Sequence, residues 1–254
     1  MSHSYQLQGL LLLGLATLFS SPSWGSVVIT GTRQIYAAKQ KEITIKLNND
    51  GSVPALVQSW VDSGDVASNP STAKAPFVLT PPLARIDPGK GHALRLMFTG
   101  APLPSSTESV FWLNVLEIPP KSKEVEASTL QMAFRSRIKI FYRPEGLAGN
   151  PTDAIAQVKW RLVAIDNDKG YALEAFNPSA YHVSIASLSL VVGERRTAAN
   201  EGMVAPGETK QFPLAALEAH PGTGAEVEFA AINDYGAHVS TRHPLHTPAK
   251  PAVR

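Results

Sequence analysis

Apolar and polar positions alternate with a period of two along much of this chain, most clearly over residues 129–144. There Leu130, Met132, Phe134, Ile138 and Ile140 interleave with Gln131, Ala133, Arg135, Arg137 and Lys139. Successive side chains of a strand point to opposite faces, so the pattern predicts a long strand with one apolar and one cationic row. Pro144 stops it, having no N–H to offer a ladder. Such a strand suits a sheet edge that something else must cover.

Shorter runs of the same kind precede it. Residues 27–29 and 33–37 read as one strand broken near Gly31, followed by strands at 42–47, 55–61, 77–79, 84–86, 92–98 and 109–118. Asn48-Asn49-Asp50-Gly51 and Asp87-Pro88-Gly89 are turns, and residues 62–75 form a loop rich in Ser, Gly, Asn and Pro. This gives about seven strands and no helix, the pattern of an antiparallel sandwich of immunoglobulin type. Residues 145–153 read as a linker. A second set of strands follows at 158–165, 171–177, 183–192, 210–214, 226–232 and 237–242. The fold class is all-β, with two immunoglobulin-like β-sandwich domains at 26–145 and 146–245 and a disordered Pro-rich tail at 246–254.

With 44% hydrophobic and 17% charged residues among 254, the chain can fill two cores. A formal net charge of +2 argues against a general nucleic-acid surface, and the absence of cysteine excludes disulfides, zinc–thiolate sites and thiol catalysis. Residues 1–25 carry no Lys, Arg, Asp or Glu and include an apolar run at 9–19, too short to span a bilayer. With small residues at Ser23 and Gly25, this segment reads as a secretory leader cleaved before Ser26, although it lacks the usual positive start.

The residues offer no enzyme chemistry. There is no G-x-S-x-G elbow, H-E-x-x-H or P-loop. His238, His243 and His246 have no ligand-pair spacing, and 166–170 reads as a β-turn rather than a calcium loop. No cofactor or metal is expected. The remaining constellation is cationic: Arg33, Lys139 and Arg143. Side by side near a domain linker, such groups either grip a carboxylate through charge-assisted hydrogen bonds or serve as surface charge and internal ion pairs.

Several stretches resemble a known family. They are Thr32-Arg33 with Ile35-Tyr36; Pro54 with Val57-Gln58-Ser59-Trp60; Pro76-Phe77 with Pro81-Pro82-Leu83 and Arg85; and Leu103-Pro104 with Glu108-Ser109. To these add Phe111-Trp112-Leu113-Asn114 running into Ile118-Pro119-Pro120, then residues 138–144, Asn177-Pro178-Ser179 with Tyr181, and Asn233-Asp234-Tyr235-Gly236. Together they resemble the periplasmic pilus-assembly chaperones of the chaperone–usher pathway, and the short 121–128 loop resembles the short-loop branch.

The resemblance implies a non-enzymatic periplasmic chaperone with its two domains set at an angle around a cleft. It would fold, cap and deliver pilus or fimbrial subunits with an incomplete immunoglobulin fold to an outer-membrane usher by donor-strand complementation. It implies that Arg33 and Lys139 anchor the subunit carboxylate. It also implies that Leu130, Met132, Phe134 and Ile138 enter the subunit groove, and that Glu108, Arg143 and Asp234 form interdomain ion pairs. Lys139 is opposite in parity to Leu130, Met132 and Phe134, so twist or a bulge between Phe134 and Lys139 is needed to join them in one surface. The alternative is a secreted two-domain immunoglobulin-like adhesin or fibre component.

Overall fold

The computed structural model describes residues 26–118, 132–165, 170–214, 217, 221 and 224–245. The expected leader, Leu130, the turn at 166–169, His246 and the tail at 246–254 lie outside the described residues.

The first sandwich contains β1 (Val27–Ile29), β2 (Arg33–Ala37), β3 (Ile43–Asn49), β4 (Ala55–Asp62), β5 (Phe77–Thr80), β6 (Leu83–Ile86), β7 (Gly91–Phe98), β8 (Ser109–Ile118) and β9 (Phe134–Arg143). One sheet has the order β1-β3-β7-β5 and the other β2-β9-β8-β4-β6. The expected single strand over 27–37 is therefore two strands in different sheets. The chain crosses between them at Gly31, whose φ of +87° lies in the left-handed region that favours glycine. Ile45, Leu47, Leu94 and Leu96 of the first sheet share a core with Val57, Leu113, Val115 and Ile140 of the second. Tyr36, Phe77, Phe98, Phe111 and Tyr142 close one end, with ring centroids 4.5 to 6.4 Å apart.

Residues 145–153 do more than link. Asn150 caps a helix, α1 (Pro151–Gln157), its side chain accepting from the Asp153 N–H at 2.9 Å. Pro151 opens the helix where a missing N–H costs nothing, and Ala154 and Ile155 are buried. The expectation of no helix fails because seven residues are too few to display a 3.6-residue period.

The second sandwich follows with β10 (Lys159–Ala164), β11 (Tyr171–Phe176), β12 (Val183–Val192), β13 (Arg195–Ala199), β14 (Gly202–Val204), β15 (Thr209–Pro213), β16 (Ala225–Ile232) and β17 (His238–Pro244). Its sheets are β10-β11-β15 and β13-β12-β16-β17, with β14 also paired to β12. Strands β13 and β14 were not expected. β13 is polar and small in its residues, β14 is only three residues long, and their pairing with β12 makes them strands. Trp160, Leu173, Leu190, Phe212, Val227 and Phe229 form a separate core.

Leu113 is fully buried between the first two sheets. Leu113→Ala is expected to lower stability by about 2–5 kcal/mol, read as a lower denaturation midpoint.

Candidate functional site

Strand β9 is covered unequally. Along its whole length it pairs antiparallel with β8, from Glu117↔Phe134 to Ser109↔Tyr142. Along its other side it pairs in parallel with β2, but only from Arg33↔Lys139 to Ala37↔Arg143. Among the described residues no strand pairs with that side of 134–138. The expected edge strand is thus an edge over one half and an interior strand over the other, and the expected start at 129 becomes Phe134.

Side-chain parity holds throughout, because the β8–β9 register runs without a shift. A bulge between Phe134 and Lys139 is therefore ruled out. Phe134, Ser136, Ile138, Ile140 and Tyr142 share the core face, while Arg135, Arg137, Lys139, Phe141 and Arg143 share the other. Ile140 is buried and Ile138 packs against the core, whereas Phe134 and Met132 are 38% and 56% exposed. The apolar row therefore continues the domain's own core outward past its edge. Leu130 lies outside the described residues.

Arg33 and Lys139 occupy one register position where the free half of β9 begins. Both face the second sandwich. Arg33 Nη1 donates to the Ile232 carbonyl at 2.8 Å, and its guanidinium lies 5.4 Å from the Phe141 ring centroid. Its Nε is buried without a hydrogen-bond partner among the described residues. Lys139 Nζ donates to Ser184 Oγ at 3.3 Å. Neither cation makes an ion pair among the described residues. Burial, then the neighbouring charges of Arg33 and Lys210, push the Lys139 ammonium below the usual lysine value. Burial likewise lowers Arg33, against the pull of Asp234 and Glu108. Two partly desolvated cations with no ion-pair partner among the described residues make a site that favours an anion.

Four residues on from Lys139, Arg143 is fully engaged. Its guanidinium donates to Glu108 Oε1 at 2.8 and 3.1 Å, and to Asp234 at 2.7 and 3.1 Å. Burial opposes its charge, but these bonds outweigh burial and raise its affinity for the proton. Glu108 is buried and reaches the second sandwich through Oε2, which accepts from the His182 N–H at 2.9 Å and lies 3.1 Å from His182 Nδ1. Asp234 sits in the β16–β17 turn. There Gly236 comes so close to Thr32 that a Cβ would lie 2.7 Å from its Oγ1, so only glycine fits unshifted. These groups line a cavity of about 190 Å³ shared by both sandwiches, with Arg33 and Phe141 on one wall and Ile232 and Tyr235 on another. Tyr235 is 95% exposed.

The remaining cations of the strand are not free. Asp62, 1% exposed, receives Arg137 Nη2 at 2.6 Å, Asn114 Nδ2 at 2.6 Å, the Gly64 N–H at 2.7 Å and Ser68 Oγ at 2.9 Å. Arg135 donates to Asn114 Oδ1 at 2.6 Å and to the Val66 carbonyl at 2.9 Å. The two guanidiniums lie over Trp60 and Trp112, at 4.9 and 4.8 Å. This cluster binds the outer face of the half-covered strand to β4, β8 and the 62–75 loop. Sequence reasoning missed it because Asp62 sits at a strand end, beside a loop that gave no sign of folding back onto β9. Among the described residues no group of His, Asp and Glu is arranged to hold a metal ion.

Comparison with known proteins is consistent across both sandwiches. Residues 26–148 match the family described as "Pili and flagellar-assembly chaperone, PapD N-terminal domain", and residues 153–243 match "Pili assembly chaperone PapD, C-terminal domain". The chain is 43% identical over 236 residues to the Bordetella pertussis "Chaperone protein FimB/FhaD", covering 90% of this chain and 92% of that protein. Its fold is similar to the crystal structure of the YadV chaperone, with a TM-score of 0.75 and 40% identity over 87% of this chain and all (100%) of that one. It is also similar to a chain from the Salmonella enterica SafA pilin in complex with the SafB chaperone, with a TM-score of 0.71 and 26% identity over 89% and 99% of the two chains. Both family descriptions are of assembly chaperones, which sets aside the adhesin or fibre-component alternative.

Asp62→Ala is expected to leave Arg137 without its carboxylate and to cost about 3 kcal/mol. Amide exchange should accelerate most over 134–138, where no second ladder protects the strand. Burial alone would raise the Asp62 carboxyl, but the bonds from Arg137, Asn114, Gly64 and Ser68 hold it below the usual carboxylate value. Its contribution is therefore present above the unfolded value and lost as pH falls through the folded one. Acid unfolding of the wild type should show this loss, and Asp62→Ala should flatten it.

Proposed function

The chain belongs to the pili-assembly chaperone family, a non-enzymatic role, and on that premise we propose how it works. It captures pilus or fimbrial subunits with an incomplete immunoglobulin fold, caps them and delivers them to an outer-membrane usher. Its leader is removed before Ser26 and it acts in the periplasm. The observation that carries this reading is the pair Arg33 and Lys139, in register and with no ion-pair partner among the described residues, at the point where β9 loses its second partner.

A subunit's C-terminal carboxylate satisfies both cations. The segment before it then lies along 138–134, hydrogen-bonded to the free side of β9. That polarity makes the subunit strand parallel to β9 and in line with β2, whose first residue is Arg33. Met132 and Phe134, with Leu130 beyond them, enter the groove left by the subunit's missing strand, while Ile138, expected in that row, stays packed against the domain's own core. Each well-buried anchor contributes roughly 1.5–3 kcal/mol in gross terms, against the cost of ordering the two partners. Lys139 and the apolar row need not share a face. The anchor is reached from the cleft side and the row from the core side, and the free backbone edge joins them.

Glu108, Arg143 and Asp234 have a supporting role in this reading: they hold the second sandwich where Ile232 and Ser184 orient the two cations.

Arg33→Ala and Lys139→Ala are expected to leave the chaperone folded and to weaken subunit capture roughly ten- to hundredfold each, the value of one charge-assisted hydrogen bond. Co-purification of co-expressed subunit measures this, and normal yields of complex from either variant would remove the anchor assignment. Because Met132 is 56% exposed, Met132→Glu should reduce capture while leaving the unfolding midpoint unchanged. Unaltered capture would remove it from the donor row.

A further inference from the structure

The first described residue is held on every side. Ser26 N–H donates to Glu117 Oε2 at 3.1 Å, and the following amide, Val27 N–H, donates to the same oxygen at 3.1 Å. Ser26 Oγ donates to Glu117 Oε1. The Ser26 carbonyl accepts from the Asp50 N–H at 2.8 Å. Against its side chain lies Gly51, where an added Cβ would come within 2.5 Å of Ser26 Cβ. Glu117 is only half-buried, yet it makes no ion pair with a Lys, Arg or His among the described residues. Its carboxylate, separated from Ser26 by 91 positions in the chain, is given over to the start of β1.

We propose that Glu117 is the receiving site for the mature N-terminus, its carboxylate taking the α-ammonium that leader removal creates on Ser26. This rests on the leader reading given above. While Ser26 is joined to Gly25, its nitrogen offers one neutral hydrogen. After hydrolysis of that peptide bond the same nitrogen carries a positive charge and three hydrogens. A hydrogen bond at 3.1 Å from a neutral donor to the carboxylate then gains a full ion pair, on an acid that makes no other ion pair among the described residues.

The position gives the contact a consequence. Glu117 stands opposite Val57 of β4 and opposite Phe134 of β9 in the sheet register. The N-terminal seat is thus built on the rung of Phe134, the end of the free half of β9 away from Lys139. Processing strengthens the corner from which the donor strand extends, and a chain still bearing its leader lacks that reinforcement.

The test compares two chains released from a cleavable fusion, one beginning at Ser26 and one retaining Gly25 ahead of it. Each carries either Glu117 or Glu117→Gln, a replacement that keeps the shape and an acceptor oxygen but removes the charge. In the chain beginning at Ser26, Glu117→Gln should lower the thermal midpoint by about 2–4 °C. In the chain retaining Gly25 the shift should be clearly smaller. Equal shifts, or none in either chain, overturn the proposal while leaving the leader reading intact. The intact mass of exported protein tests that reading separately: a start at Ser26 supports both, and any other start removes both.

Discussion

Two like charges in one register position, partly out of water and with no ion-pair partner among the described residues, are the constraint around which this protein is arranged. Arg33 and Lys139 meet because β2 leaves the sheet of β1 at Gly31 and joins β9 in parallel. Their direct hydrogen-bond acceptors in the second sandwich are neutral, the Ile232 carbonyl and Ser184 Oγ, while Asp234 and Glu108 act on Arg33 without pairing with it. Those acceptors orient the cations without neutralising them. The buried, unpartnered Nε of Arg33 marks the same incompleteness. A core alone would not select this arrangement, since like charges this close cost free energy until an anion arrives.

Such a site spans two bodies, so it has value only while their relation is fixed. Arg143 meets that need with donors to Glu108 and Asp234, and Glu108 in turn holds the His182 amide. Buried ion pairs contribute little net stability once their desolvation is counted. Their use here is geometric: planar guanidinium forks meet carboxylates from both sandwiches and admit one relative placement. The tight approach of Gly236 to Thr32 sets the same placement from the other side of the cleft.

Much of this was legible in the chain itself, for identifiable reasons. Period-two alternation located strands such as Ser109–Ile118 and Val183–Val192 at the limits the structure shows. Alternation reports which face a residue takes and not which neighbour a strand has. The sheet switch at Gly31 and the half-covering of β9 were therefore invisible. Helix α1 was hidden by its length, and β13 and β14 because pairing with β12 overrides weak local preference. Spacing alone picked out the cations Arg33, Lys139 and Arg143 without sorting them, and the division came from the family resemblance. In the structure Arg143 meets two carboxylates, and Lys139 meets none among the described residues. Arg135 and Arg137 looked like the polar side of an exposed edge, and the fold uses them on Asp62 and Asn114 instead.

That last difference bears on how a five-residue edge at 134–138 can serve as a template. An unpaired strand edge ordinarily frays, and fraying would make any added strand bear the cost of ordering both chains. Here β8 holds one side of the backbone and the Asp62 cluster holds the outer side chains, so only the edge amides and carbonyls remain open. On the proposed reading, the paired cations Arg33 and Lys139 then limit sliding. A slip of one residue would move an added chain's terminal carboxylate by about 3.3 Å, beyond hydrogen-bond reach of the cations, and would turn every side chain to the opposite face. Charge at one end and parity along the edge exclude the same errors, so register is set twice by independent means.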